Sequence, residues 1–280
     1  MMTTTLRPAG PLHETADGSR SRTYDVCVNS RPVGSIELAT DPVFGHTAVS
    51  VPTLRIDEAD RRRGRATVAA LAAEEIARGW GCGLMTASVP PAAHAALRLA
   101  ESLGYTERSR NMVKTLPAHP PEPPAGVEAR SMTAAEYERW LAGAYDDYAQ
   151  SWIDRGLSPD VARAKSRESF AKLLPDGLAT PGTSIEVLVH QGAVVGHVWV
   201  ARRELSPGTS GAYVYEVVVV EEQRGKGHGR ALMLLAERTA LAAGHTELGL
   251  HVFADNTPAV RLYESLGYAT TRHNYFKRLL

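Results

Sequence analysis

Apolar positions change their period several times along the chain, and each change marks an element. Residues 185–190 and 194–201 are β-rich runs joined by Gln191-Gly192, a composition that predicts a hairpin. Residues 213–220 form a third run. Its near-continuous apolar stretch from Val217 to Val220 predicts a strand covered on both faces. The period then becomes helical. Leu232, Leu235, Ala236 and Thr239 fall at i, i+3, i+4 and i+7, predicting a helix over about 229–243 that Gly244 stops. A short strand at 248–253 follows. Thr257-Pro258 then reads as an N-cap with proline at the first helical position, and Ala259, Leu262 and Leu266 form that helix's inner stripe. A last strand is expected near 274–280. Helical sequence at 134–155 and 159–174 precedes the hairpin. The order α, α, hairpin, β, α, β, α, β predicts an α/β (α+β) domain with a mixed central sheet flanked by helices.

The first half repeats most of this order. AESLGY ends at Tyr105 and YESLGY at Tyr268, 163 residues later. The same offset carries Arg61 to Arg224, Gly64 to Gly227, Glu74 to Glu237, Gly81 to Gly244, Asn111 to Asn274 and Lys114 to Lys277 without a gap. Composition alone does not align isolated Gly, Asn and Lys residues, so the chain is read as two fused copies of one domain. The proline-rich stretch 117–126 suits neither a helix interior nor a central strand and reads as an extended linker. The expected domains are therefore 1–116 and 127–280. Runs at 24–28 and 33–39 flank the first copy's hairpin turn at 29–32. Only about 20 residues precede them, read as a frayed tail, so the paired helices of the second copy have no counterpart and one binding wall is missing.

Composition narrows the picture further. Apolar residues make up 44% and charged residues 22% of the 280 positions, which suits ordinary globular domains. Lys plus Arg equal Asp plus Glu at 31 each, so no global field favours nucleic acid; the local run Arg61, Arg62, Arg63 and Arg65 is the exception. The two cysteines, Cys27 and Cys82, form no metal or disulfide spacing, and no metal is expected. No run reaches the roughly 20 apolar residues of a membrane span. A cytoplasmic protein without membrane partners is the expectation.

The segment after the third strand carries the clearest chemistry. Arg224-Gly225-Lys226-Gly227-His228-Gly229-Arg230 opens an amphipathic helix. Glycines let a ligand approach the backbone, and the first N–H groups of a helix, at the positive end of its dipole, suit a pyrophosphate. Lys226 and Arg230 add charge. The absence of a GKS or GKT triplet excludes a nucleotide-triphosphate loop.

Arg224, Gly227 and Gly229 match the loop signature of the GNAT superfamily of acyl-CoA-dependent N-acyltransferases, and Asn256, Ala259, Leu262-Tyr263-Glu264 and Gly267-Tyr268 match its second signature. The chain therefore resembles a tandem GNAT protein with a degenerate first copy, and the match spans 127–280. The resemblance implies that backbone groups of Val217 and Val219 hold a pantetheine arm and that the loop from Arg224 to Arg230, through Gly225, Lys226, Gly227, His228 and Gly229, receives the pyrophosphate. Asn256 would contact the pantetheine or the helix start. Acetyl-CoA, or another acyl-CoA, is the implied co-substrate.

Tyr263 is the candidate for protonating the departing thiolate, since a phenol can donate to it. A base must strip the acceptor ammonium, and Glu216 and His251 are the candidates; family members often place a carboxylate acting through water where Glu216 stands. The first copy has Ala100, Ala93, Thr53 and Ser88 at the positions of Tyr263, Asn256, Glu216 and His251. The expected activity is transfer of an acyl group, most commonly acetyl, to a primary amine of a small molecule in the second copy, with the first as scaffold and the protein a monomer or homodimer. A donor carried on aminoacyl-tRNA, and a non-catalytic acyl-CoA sensor, stand as alternatives. Asp146, Asp147 and Glu138 would favour a cationic acceptor, and the loop 174–183 is expected to border its pocket.

Overall fold

The computed structural model of the protein describes residues 3–122, 124–154, 158–206 and 208–279. In chain order the first half contains β1 (Thr4–Pro8), β2 (His13–Glu14), β3 (Arg20–Val28), β4 (Arg31–Asp41), β5 (Gly45–Ile56), α1 (Arg65–Gly79), β6 (Leu84–Val89), α2 (His94–Ser102) and β7 (Thr106–Thr115). The second contains β8 (Val127–Ser131), α3 (Ala134–Ile153), α4 (Pro159–Leu173), β9 (Thr183–His190), β10 (Ala193–Ser206), β11 (Thr209–Val219), α5 (His228–Ala242), β12 (Glu247–Phe253), α6 (Thr257–Ser265) and β13 (Ala269–Arg278). Arg155 and Leu280, the outer limits of two expected elements, lie outside the described residues.

Two compact units form, and neither is contiguous in sequence. The first takes residues 1–112, 252–260 and 270–280; the second takes 113–251 and 261–269. In the first unit the strands run β1-β3-β4-β5-β6-β13, with β2 on β3. The pair β5·β6 is parallel and the others are antiparallel. The expectation of a frayed start is corrected here. Residues 4–8 pair with 24–28, and Leu6 packs on the core, so that pairing gives the segment a fixed place. In the second unit the order is β8-β9-β10-β11-β12, antiparallel except for β11·β12.

Both hairpin turns follow from their sequences. Asn29 and Ser30 have φ of 47° and 71°, and Gln191 and Gly192 have φ of 51° and 76°, the paired positive values of a type I′ turn. Among the described residues no helix precedes β3, in keeping with the missing helical pair of the first copy. In the second unit α3 starts from a capping box between Thr133 and Glu136, and proline begins α4.

The chain's last strand belongs to the first unit. Residues His273 to Arg278 of β13 pair with Val89 to Leu84 of β6, and Tyr275 is buried in that unit's core. Lys277 Nζ reaches both carboxylate oxygens of Glu74 at 2.7 Å. The mirror arrangement occurs in the second unit, where Lys114, at the end of β7, holds both oxygens of Glu237 at 2.7 and 2.8 Å. Lys114 and Lys277 are repeat equivalents, as are Glu74 and Glu237. Each lysine therefore pairs with the glutamate from the other half of the sequence: β13 from Thr270 on belongs to the first unit, and the end of β7 from Val113 on belongs to the second.

Two faces of the second sheet carry different partners. Gly196 of β10 faces α5, since a Cβ there would lie 2.3 Å from the Val218 carbonyl oxygen and 2.9 Å from Leu232. On the opposite face Trp199, Ile185 and Val187 pack against Tyr137, Trp140, Leu141, Tyr145 and Phe170 of the two helices. Trp140 anchors this layer, with ring centroids 5.6 Å from Trp199 and 6.0 Å from Phe170 in edge contacts.

Candidate active site

The strands β11 and β12 pair only over Ala212, Tyr213 and Val214 against Leu248, Gly249 and Leu250. Beyond that point β11 runs on to Val219 without this partner, so the sheet opens. The same opening exists in the first unit, where β5 meets β6 only from Ala48 to Val51 and continues to Ile56. It explains a departure from expectation. The run Val217–Val220 reads as a doubly covered strand, yet Val218 and Val220 are 36% and 39% exposed. Both stand where β11 has run past its last pair with β12. The opening also leaves backbone groups of Val217 and Val219 on the edge that faces the missing strand neighbour, a suitable rail for an amide-bearing arm.

A register shift between Trp199 and Val200 sets which β11 side chains face which way. Glu216 pairs with Trp199 and Val218 with His197, so Glu216, His197 and Trp199 share the face covered by α3. Val219 lies on the other face: the position a Cβ of Gly229 would take is 3.9 Å from it and 3.3 Å from Leu262 of α6.

The glycine loop follows the unpaired end of β11 and leads into α5. Gly227 stands at the N-cap of α5 with φ 87° and no side-chain cap, a left-handed conformation that glycine adopts without strain. Among the described residues the N–H groups of Gly225, Lys226, Gly227, His228 and Gly229 have no backbone acceptor, so the helix start presents a row of donors with its dipole behind them. Arg224 braces the loop. Its Nε donates to the Val219 carbonyl at 3.4 Å, and its guanidinium lies 3.8 Å from Glu221. Lys226 bonds Gln223 at 3.0 Å, and Arg230 bonds Ser265 of α6.

The His228 side chain is buried beneath the loop, with Nε2 unpartnered and its ring 5.1 Å from that of His190. Burial first, then His190 and Lys226, push its pKa down, so the ring is neutral near neutrality and its contribution to an anion is the backbone N–H. The donor row, the open strand edge and the absence of a Cβ at 227 and 229 fit the pyrophosphate and pantetheine of an acyl-CoA.

Tyr263 lies on α6, buried, with its ring 6.0 Å from Tyr268. Burial pushes its phenol up to about 12. Asn256 caps that helix: its side-chain oxygen accepts from the Ala259 N–H at 3.2 Å, and its carbonyl accepts from Val260. This corrects the expectation that Thr257 caps it, because the asparagine amide reaches the first turn one residue earlier. His251 is exposed one residue past the last β11·β12 pair.

Glu216 is where the structure adds most. One carboxylate oxygen, Oε2, accepts from Trp140 Nε1 at 2.6 Å and from His197 Nε2 at 2.8 Å. Neither partner follows from the signatures. The one signal was His197 as a polar residue within the apolar run VVGHVWV. The loop 174–183 covers Tyr137: a Cβ at Gly177 would stand 3.4 Å from that ring. Asp146 lines an open cavity of about 210 Å³ beside Arg163 and Arg167, so local cations offset its charge.

The first unit lacks this equipment. Arg65, the equivalent of His228, is buried against Asp60, which also takes Arg31 at 3.0 and 3.1 Å. Ala93, the N-cap of its α2, offers no side-chain cap, and Thr53 stands where the second unit has Glu216.

Residues 4–105 and 138–268 both match the model of the Acetyltransferase (GNAT) family. A mycothiol acetyltransferase of Amycolatopsis mediterranei is 30% identical over 287 residues, covering 96% of this chain and 86% of that protein. An uncharacterised N-acetyltransferase of Bacillus subtilis, YycN, is 31% identical over 142 residues, covering 50% of this chain and 90% of its own. A GCN5-related N-acetyltransferase structure from Sphaerobacter thermophilus shares the fold, with a TM-score of 0.58, 21% identity, and coverage of 92% of this chain and 80% of that one. With two family matches, the strand opening and a donor-lined helix start, the chain belongs to the GNAT family of N-acetyltransferases and carries two GNAT domains.

Proposed function

We propose that the second copy transfers the acetyl group of acetyl-CoA directly to a primary amine of a small molecule, while the first copy serves as scaffold. The observation that carries this reading is the asymmetry of two similarly opened sheets. The second unit places a carboxylate, Glu216, on the opened strand itself and a buried phenol, Tyr263, on the helix behind the glycine loop. The first has Thr53 and Ala100 at those positions.

Acetyl-CoA supplies a thioester whose carbonyl carbon accepts the amine nitrogen while the C–S bond breaks. The backbone of Val217 and Val219 orients the pantetheine, and the N–H row from Gly225 to Gly229 holds the pyrophosphate, with charge from Lys226 and Arg230. Glu216, on the α3 face, takes the acceptor ammonium's proton directly or through water. Tyr263, on the α6 face, gives its proton to the leaving sulfur and regains one through solvent from the nitrogen, which sheds its second proton as the amide forms. Asn256 fixes the start of the helix that carries Tyr263. His251 is the second base candidate, at the mouth of the opening.

Calorimetric titration with acetyl-CoA, followed by thiol release with glucosamine, L-lysine amide, spermidine and amines related to mycothiol, tests the reading. Binding of one acetyl-CoA per chain together with amine-dependent thiol release supports it. Binding without release from any amine would make the protein a sensor. Absence of binding would move the donor away from acyl-CoA.

A further inference from the structure

We propose that His197 is a positioning residue for acyl transfer, holding the carboxylate of Glu216 so that its second oxygen, Oε1, faces the acceptor amine. The proposal rests on Glu216 as the base.

The geometry is specific. His197 and Glu216 are diagonal neighbours on one face of β10·β11, His197 pairing with Val218 and Glu216 with Trp199. His197 Nε2 and Trp140 Nε1 both converge on Oε2, at 2.8 and 2.6 Å. Two donors on one oxygen fix the carboxylate's rotation and leave Oε1 without either of them. Glu216 keeps 34% of its side chain exposed, which leaves room for a ligand at the carboxylate, whereas His197 is only 17% exposed. His197 is itself held: its ring lies 6.1 Å from Trp140 at 71°, an edge contact with the residue that supplies the other donor. A carboxylate left to rotate would spend part of its time with neither oxygen in line, and small misplacements of a reacting group are costly.

The first unit shows what is lost when the chemistry is absent. The β4·β5 register pairs Ser35 with Arg55, the equivalent of Val218, so Ser35 stands where His197 does. Thr53 stands for Glu216, and Trp140 has no equivalent without the helical pair. The whole donor–carboxylate set exists only in the copy that also keeps Tyr263. A histidine kept merely to stabilise the sheet would not need to track the other reactive residues in this way.

The test compares His197→Leu, His197→Gln and Glu216→Gln in the full chain, by thiol release with acetyl-CoA and whichever of glucosamine, L-lysine amide or spermidine turns over fastest. A glutamine amide stands near the imidazole Nε2 and preserves the donor. His197→Leu is expected to lower kcat about 10- to 100-fold, leaving KM for acetyl-CoA within about twofold, and His197→Gln to restore most of the loss. Equal losses in the Leu and Gln variants, or a parental kcat in His197→Leu, would overturn the proposal. Thermal melts of all three variants accompany the kinetics. A leucine variant that fails to fold shifts the decision to His197→Gln, whose near-parental kcat supports the donor role and whose full loss opposes it. Glu216→Gln separates the two levels: a parental rate there removes Glu216 as base, whereas its loss alongside an unaffected His197→Leu removes only the role of His197.

Discussion

The hydroxyl of Tyr263 combines burial with a position on the helix behind the glycine loop. Because burial pushes its pKa up to about 12, the phenol keeps its proton throughout the neutral range and is ready to donate to a thiolate. Tyr263→Phe removes that donor and little volume. It is expected to lower kcat by about 100-fold while leaving the calorimetric affinity for acetyl-CoA unchanged, because the groups assigned to binding are the backbone of β11, the N–H row of the glycine loop and the charges of Lys226 and Arg230, none of which the change touches. An unchanged kcat would remove Tyr263 from the chemistry. The pH dependence has a definite sign. The folded pKa lies above the unfolded value near 10, so the burial contribution is complete below about pH 10 and is lost as pH rises towards 12. Activity should therefore show no alkaline fall from Tyr263 until the protein itself loses stability, a point that parallel rate and unfolding profiles would check.

The two ion pairs that join the halves of the sequence differ in burial. Glu237 on α5 is fully buried and Lys114 is 14% exposed, whereas Glu74 and Lys277 are 4% and 23% exposed. Glu237→Ala would strand the Lys114 ammonium in a low-dielectric site, beside the Tyr268 ring at 5.7 Å. A loss of about 3–5 kcal/mol in urea unfolding is expected, and Glu237→Leu combined with Lys114→Met should recover most of it by replacing charge with packing. A double variant as unstable as the single one would mean that the pair contributes more than charge compensation.

These same elements mark the limit of what pattern can say. Repetition revealed both glutamates and both lysines, yet a strand's alternation is the same whichever β6-like neighbour it joins, so the pairing across the two halves was invisible. The helices and the glycine loop were legible because period and N–H chemistry are local. The Glu216–His197 contact was not, since a diagonal pair depends on a register shift that no spacing encodes. Val217–Val220 reads as a covered strand for a related reason, because an apolar run has the same pattern whether its strand keeps a neighbour or, as here, runs past it.

For the molecule as a whole, pairing across the two halves means that the linker at 117–126 is a poor place to cut. A fragment of residues 1–116 would keep β6 but lose β13, baring a strand edge, removing Tyr275 from its core and leaving Glu74 buried without Lys277. A fragment of residues 117–280 would keep α5 but lose Lys114, leaving Glu237 buried and unpaired. Each half thus carries the strand end that completes the other. Expressed separately, both fragments should be insoluble or lack cooperative thermal unfolding. Expressed together, they should co-purify one to one and regain acetyl-CoA-dependent thiol release, because strand pairing and two buried ion pairs reform without a covalent link. Full turnover from a monomeric 117–280 fragment would instead show that the catalytic copy is self-sufficient, and the first copy would then need a role other than scaffold. Intermediate behaviour would still sort the terms. If the longer fragment is rescued by Glu237→Leu alone, the buried charge was the obstacle; if only the partner fragment rescues it, the missing strand was.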